Sequence, residues 1–83
     1  NKNNTFFTIE FKVTKSKKVR FSPHQIAFHV RHPINSFILV QTPDACGLKL
    51  YEGFKIRQLV ACGLKLDACA SGLDACRLKL ESL

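Results

Sequence analysis

The clearest pattern in the chain is the alternation over Phe6-Phe7-Thr8-Ile9-Glu10-Phe11-Lys12-Val13-Thr14. Phe7, Ile9, Phe11 and Val13 fall on one side of an extended segment, and Thr8, Glu10, Lys12 and Thr14 on the other. This predicts a strand with its apolar face buried. Lys15-Ser16-Lys17-Lys18 reads as a polar turn, and Val19-Arg20-Phe21 as a short returning strand that completes a hairpin. Ser22-Pro23-His24-Gln25 is a helix start. Ser22 caps, Pro23 fits the first helical position, and Gln25 closes an S-x-x-Q capping box. The helix is expected to run to about Arg31, stopped before Pro33, with Ile26, Ala27 and Val30 as its inner stripe. Gln25, His29 and His32 share a different stripe.

Ser36-Phe37-Ile38-Leu39-Val40-Gln41 is a continuous apolar run and predicts a buried strand ended by Thr42-Pro43-Asp44. Leu48-Lys49-Leu50-Tyr51 predicts another, closed by Gly53. Ile56, Leu59 and Val60 predict a helix over 54–61 that ends near Gly63. Beyond it the chain repeats itself. Cys46-Gly47-Leu48-Lys49-Leu50, Cys62-Gly63-Leu64-Lys65-Leu66 and Cys76-Arg77-Leu78-Lys79-Leu80 are near-copies of one pentapeptide. Leu59, Cys62, Leu66, Cys69, Leu73, Cys76, Leu80 and Leu83 recur at steps of three and four, an a/d pattern. Gly63 and Gly72 interrupt it. The tail is expected either as helical pieces whose apolar stripe packs on the domain or on a second chain, or as loosely ordered low-complexity sequence.

Length allows one small domain: 83 residues, 46% of them hydrophobic, enough for a core. A chain this short buries only about 60% of its unfolded surface, so a partner or a larger fold is expected around it. No apolar run approaches the roughly 20 residues that span a bilayer, and 1–5 carries no signal-peptide stretch. A reduced, cytoplasmic setting without membrane partners is the expectation. The four cysteines, Cys46, Cys62, Cys69 and Cys76, all lie in the second half. Two disulfides would fit the even count, but unpaired thiols fit the clustering and the missing secretion signal better. Their spacing is too wide for a C-x-x-C zinc site.

Charge narrows the function classes. The net charge is +7, and nearly all of the excess lies before Asn35, where Lys2, Lys12, Lys15, Lys17, Lys18, Arg20 and Arg31 face a single acid, Glu10. Such a footprint suits a phosphate backbone, although a solvated lysine-rich turn would look the same. Glu10-Phe11-Lys12 adds candidate chemistry. Two apart on a strand, Glu10 and Lys12 leave the same face. A carboxylate is a hard ligand for a divalent cation. A lysine beside it can hold a water or offset charge on a phosphate. An exposed Glu-x-Lys is, on its own, an ordinary solvated pair.

The order of these parts is more specific than any one of them. Ile9-Glu10-Phe11-Lys12-Val13, then Lys18-Val19-Arg20-Phe21-Ser22-Pro23-His24-Gln25, then Phe37-Ile38-Leu39-Val40 resembles the second half of a PD-(D/E)xK nuclease core. The flavour is that of the VRR-NUC type and the phage Holliday-junction-resolvase-like enzymes, over about residues 6–60. The resemblance implies an α/β, restriction-endonuclease-like core at 1–62, a mixed β-sheet flanked by helices and incomplete at the N-terminus, with 63–83 as a Cys/Leu-rich helical tail outside the family pattern. It implies a metal-dependent DNA endonuclease of a bacterial or phage-infected cell, with Mg²⁺ or Mn²⁺ as cofactor. Glu10 and the backbone carbonyl of Phe11 would be metal ligands, Lys12 would orient the attacking water, and Gln25 would lie beside the site. Lys15, Lys17, Lys18, Arg20 and His24 would hold DNA. His29 and His32 are candidates to assist the site or to touch DNA, or else exposed residues with local hydrogen bonds. The family carries an Asp on the strand before its acid-x-Lys; no Asp precedes Glu10 here. The implied site is therefore composite, completed by a homodimer mate or a complementary nuclease segment. Two other function classes remain open: a catalytically inactive basic module that binds nucleic acid, and a structural assembly module acting through the Leu/Cys stripe.

Overall fold

The computed structural model describes residues 7–42 and 47–82. Lys2, Phe6, Pro43, Asp44, Cys46 and Leu83, which figure in the readings above, lie outside the described residues. The strands are β1 (Thr8–Val13), β2 (Ser36–Gln41), β3 (Leu48–Glu52) and β4 (Ala70–Ser71). The helices are α1 (Pro23–Arg31), α2 (Ile56–Cys62) and α3 (Leu73–Glu81), with 3₁₀ turns at Gly53–Lys55 and Gly63–Lys65. The sheet order is β1-β2-β3-β4, with β1 parallel to β2 and the other pairs antiparallel. A mixed four-stranded sheet flanked by helices is thus what the α/β reading anticipated.

The parallel β1–β2 pair needs a crossover, and α1 supplies it. Its start follows from local chemistry. Ser22 Oγ accepts from the Gln25 amide at 3.2 Å, and Gln25 Oε1 accepts from the Ser22 amide at 2.9 Å, so both halves of the capping box form. Asn35, at φ 66°, turns the chain into β2, using the left-handed conformation that asparagine tolerates best after glycine. β2 is buried on both faces, as its unbroken apolar run requires. Ile38 and Val40 join Tyr51, Ile56, Leu59 and Val19 under α1 and α2. Phe37 joins Leu50 and Cys76 on the opposite face, under α3.

Three expectations are overturned in the first third of the chain. Val19–Phe21 is not a strand. Thr14 Oγ1 donates to the Lys18 carbonyl at 2.7 Å, and the Leu64 amide donates to the Lys17 carbonyl at 2.7 Å. These bonds draw the chain away from β1, and Val19 enters the core instead. The apolar face of β1 is not buried. Ile9, Phe11 and Val13 are 41%, 55% and 64% exposed, because β1 is an edge strand, α3 lies over β2 and β3, and α1 covers the Glu10/Lys12 face. Of the expected inner stripe of α1, Ile26 packs against the core but Ala27 and Val30 do not. Ala27 and Val30 are exposed, Ile26 is half-buried, and His29 is fully buried. Strand and helix meet through their polar sides.

The tail is ordered and contributes to the sheet. Cys69 and Ala70 pack against β3, and Cys76 and Leu80 against Phe37 and Leu50. The a/d stripe is not continuous, since Leu73 is 67% exposed. Cys62, Cys69 and Cys76 are unpaired thiols, from exposed to buried in that order. Among the described residues no helix is long and apolar enough to cross a membrane.

Candidate active site

Two-residue spacing on β1 sends Glu10 and Lys12 off the sheet toward α1, and four-residue spacing on α1 sends Gln25 and His29 back toward them. The Lys12 ammonium donates to Gln25 Oε1 at 2.9 Å and lies 3.7 Å from Glu10 Oε2. It also stands 5.0 Å above the centroid of the Phe21 ring, within cation–π range. Gln25 Oε1 therefore accepts two bonds, from its own N-cap and from Lys12. The capping role and the site role are one atom's two lone pairs.

The other Glu10 oxygen, Oε1, faces His29 Nε2 at 3.4 Å. His29 is fully buried and its Nδ1 has no hydrogen-bond partner. Nε2 is the ring nitrogen placed to donate to the carboxylate, which can only accept. Behind the ring the backbone of Gly53 closes in: a Cβ there would stand 2.9 Å from His29 Nδ1 and 1.9 Å from Ser36 Oγ. Phe28 meets the ring edge-on at 5.3 Å between centroids. Glu10 and Lys12 keep about a fifth of their side-chain surface exposed, at 21% and 23%. Glu10, His24, Gln25, Phe28 and His29 line an open cavity of about 550 Å³ above them.

The arrangement presents a carboxylate in the wall of a pocket beside the first turn of a helix, where an anion is favoured, with a clamped ammonium next to it and outside the lining. A hard divalent cation needs several oxygen ligands. Glu10 is the one carboxylate of this pocket, and among the described residues no three His, Cys, Asp or Glu side chains converge to hold a metal ion. The donor set present does not by itself fit Mg²⁺ or Mn²⁺. Phe11 sits between the two site residues with its side chain on the opposite, exposed face.

Glu10, Lys12 and Gln25, the three candidate catalytic residues, are thus brought together. The candidate DNA-binding residues are not. His24 lies at the rim of the Glu10 cavity, Arg20 is exposed elsewhere, and Lys18 borders a hollow beside Asp67. Lys15 and Lys17 join Lys49 and Lys65 around another pocket. His32, on the same stripe as His29, is exposed and stacks near Phe28. His29 is the residue whose weight the sequence understated, although its spacing of four from Gln25 placed it on the right stripe. Comparison with family models, with curated proteins and with solved structures gives no match to this chain.

Proposed function

We propose that the chain carries the lysine-bearing half of a DNA phosphodiester-hydrolysing site, on a restriction-endonuclease-like core of the kind its motifs resemble. The observation that supports this best is the Lys12 ammonium, fixed by Gln25 at 2.9 Å and lying 3.7 Å from Glu10, two residues that themselves line an open pocket. A lysine that served only solubility would not need two partners from two elements. Lys12 places a cation where charge develops on a phosphate and orients a water by its remaining N–H groups. Gln25 limits where that cation can point, and Glu10 offers one of the oxygens that a Mg²⁺- or Mn²⁺-dependent site requires. The Phe11 carbonyl would add a second oxygen, and the remaining ligands would come from a second copy or a complementary segment. The edge of β1, which no described strand covers, is where a strand from a second copy or a complementary segment adds.

The test is cleavage of supercoiled plasmid and branched duplex DNA with Mg²⁺ or Mn²⁺, over protein concentrations at which copies associate. Lys12→Ala and Glu10→Ala are each expected to lower cleavage by about 100-fold or more, with DNA affinity largely kept. Metal-dependent cleavage that survives Lys12→Ala, or no cleavage at any concentration, overturns the reading. A second reading, a non-catalytic module that binds nucleic acid, draws support from the gathering of lysines away from Glu10. It is recognised by indifference to both substitutions and by loss of affinity when Lys15, Lys17 and Lys18 are neutralised together.

A further inference from the structure

Four lysines from three segments meet around one cavity of about 480 Å³: Lys15 and Lys17 from the loop after β1, Lys49 from β3, and Lys65 from the second 3₁₀ turn. None of its lining residues belongs to the Glu10 cavity. The lining contains no acid, and among the described residues none of these four ammonium groups is in an ion pair; one acid, Asp67, borders the adjoining hollow shared by Lys17 and Lys65. Like charges gathered without an ion pair among the described residues repel, less in water than at a half-buried site. A sequence free to place lysines anywhere on the surface gains nothing from this convergence unless an anion joins it.

The pocket is also built rather than assembled by chance side-chain reach. The loop is clamped by Thr14 Oγ1, which bonds the Lys18 carbonyl at 2.7 Å and accepts from the Ser16 amide at 3.3 Å. Its Lys17 carbonyl accepts from the Leu64 amide at 2.7 Å. Gly63, at φ 63°, permits that approach, since a Cβ there would lie 2.2 Å from the Lys17 oxygen. Lys49 Nζ is held by the Leu64 carbonyl at 3.2 Å, which leaves its other N–H groups for a ligand. A second observation points to a ligand independently. Thr42 lines the same cavity, is 7% exposed, and its Oγ1 has no hydrogen-bond partner. A buried hydroxyl without a partner is destabilising.

We propose that this pocket binds a phosphate group, with Lys15, Lys17, Lys49 and Lys65 supplying charge and Thr42 and Ser16 supplying hydroxyl donors. The lining holds no aromatic side chain on which a base could stack, so the phosphate, not a base, is what is recognised. This site does not depend on cleavage at Glu10. It accepts a free phosphate, a terminal monoester or a backbone diester with the same groups.

The test is a titration of the protein with inorganic phosphate at constant ionic strength, followed through the backbone amide resonances of Ser16, Thr42 and Lys65. Saturable shifts at these amides, absent with chloride, are expected. Lys65→Gln, at an exposed position, and Thr42→Val, which keeps the side chain's shape, are each expected to weaken binding by about tenfold. Lys12→Ala is expected to leave it unchanged, which separates this site from the proposed cleavage site. Oligonucleotides with and without a 5′-phosphate distinguish the source. Tighter binding of the phosphorylated one assigns a terminal monoester, equal binding a backbone diester, and phosphate binding without oligonucleotide binding a free phosphate. Linear, unsaturated shifts with phosphate, or oligonucleotide and phosphate affinities untouched by Lys65→Gln and Thr42→Val, overturn the proposal.

Discussion

Gln25 carries two loads through one oxygen, and substitutions can separate them. Ser22→Ala removes the hydroxyl half of the cap and leaves the Lys12 contact in place; it is expected to cost about 1 kcal/mol, read as a lowered denaturant midpoint, with DNA cleavage unchanged. Gln25→Ala removes both, and is expected to lower stability similarly and cleavage as well. Equal effects of the two variants on cleavage would show that the Lys12 bond is idle. His29 offers a different check. His29→Leu keeps the volume roughly but strips Glu10 Oε1 of its donor, a loss of about 1–3 kcal/mol measurable by urea unfolding. The thiols give a pH-dependent signature. Burial raises Cys69, helped by Glu52, and raises Cys76, helped by Cys69. Between the ordinary thiol value of 9.0 and the raised folded values, the unfolded chain has lost protons that the folded chain retains. Stability is therefore full below pH 9.0 and falls as pH rises through the folded values. Mass spectrometry of alkylated protein at neutral pH is expected to find Cys62 modified well before Cys76.

At the scale of elements, the positions of β2, β3, α1 and α2 were legible because each is bounded by unambiguous chemistry: a capping box, a proline, a glycine, an unbroken apolar run. What the sequence did not disclose is which side of β1 and α1 faces in. Periodicity separates two faces but does not say which is buried; burial usually answers by polarity. Here Glu10, Lys12, Gln25 and His29 satisfy one another, so their sides can meet while Ile9, Phe11 and Val13 remain outside. Phe11→Ser is therefore expected to change stability by less than about 0.5 kcal/mol, the range of surface substitutions. Ile38→Ala, in the sealed core, is expected to cost about 2–5 kcal/mol. Chemical denaturation of both variants checks the assignment. The pentapeptide makes the same lesson sharper. Leu-Lys-Leu is strand at 48–50, spans a 3₁₀ turn and the residue after it at 64–66, and is helix at 78–80. Its local preference is weak enough for the sheet, the loop after β1 and the groove under α3 to impose three conformations.

For the molecule as a whole, a mixed sheet backed by helices was readable from the succession of strand and helix signals. The strand order was not, because it depends on where the loop after β1 is anchored. The bonds from Thr14 to Lys18 and from Leu64 to Lys17 are contacts between segments with no sequence mark beyond a threonine and a glycine. The same anchoring redistributes the charge. Lysines expected along one hairpin are split between two hollows, and two of them gain companions from the repeats. The proposed binding to DNA is expected to weaken steeply with salt, as several phosphate contacts require; fluorescence anisotropy between low and physiological ionic strength measures it. A flat salt response would argue that the +7 charge serves solubility alone.

Gly53 has an effect out of proportion to its size. With no room for even a methyl group between it, Ser36 and His29, it acts as a gasket that keeps the imidazole dry on the side away from Glu10. Alanine there would push the turn before α2 outward and admit solvent behind the ring. His29 would then become free to rotate, and the carboxylate would lose its one fixed orientation without any change in the residues that touch it. Faster deuterium uptake at the C2 position of His29 in Gly53→Ala would register the leak.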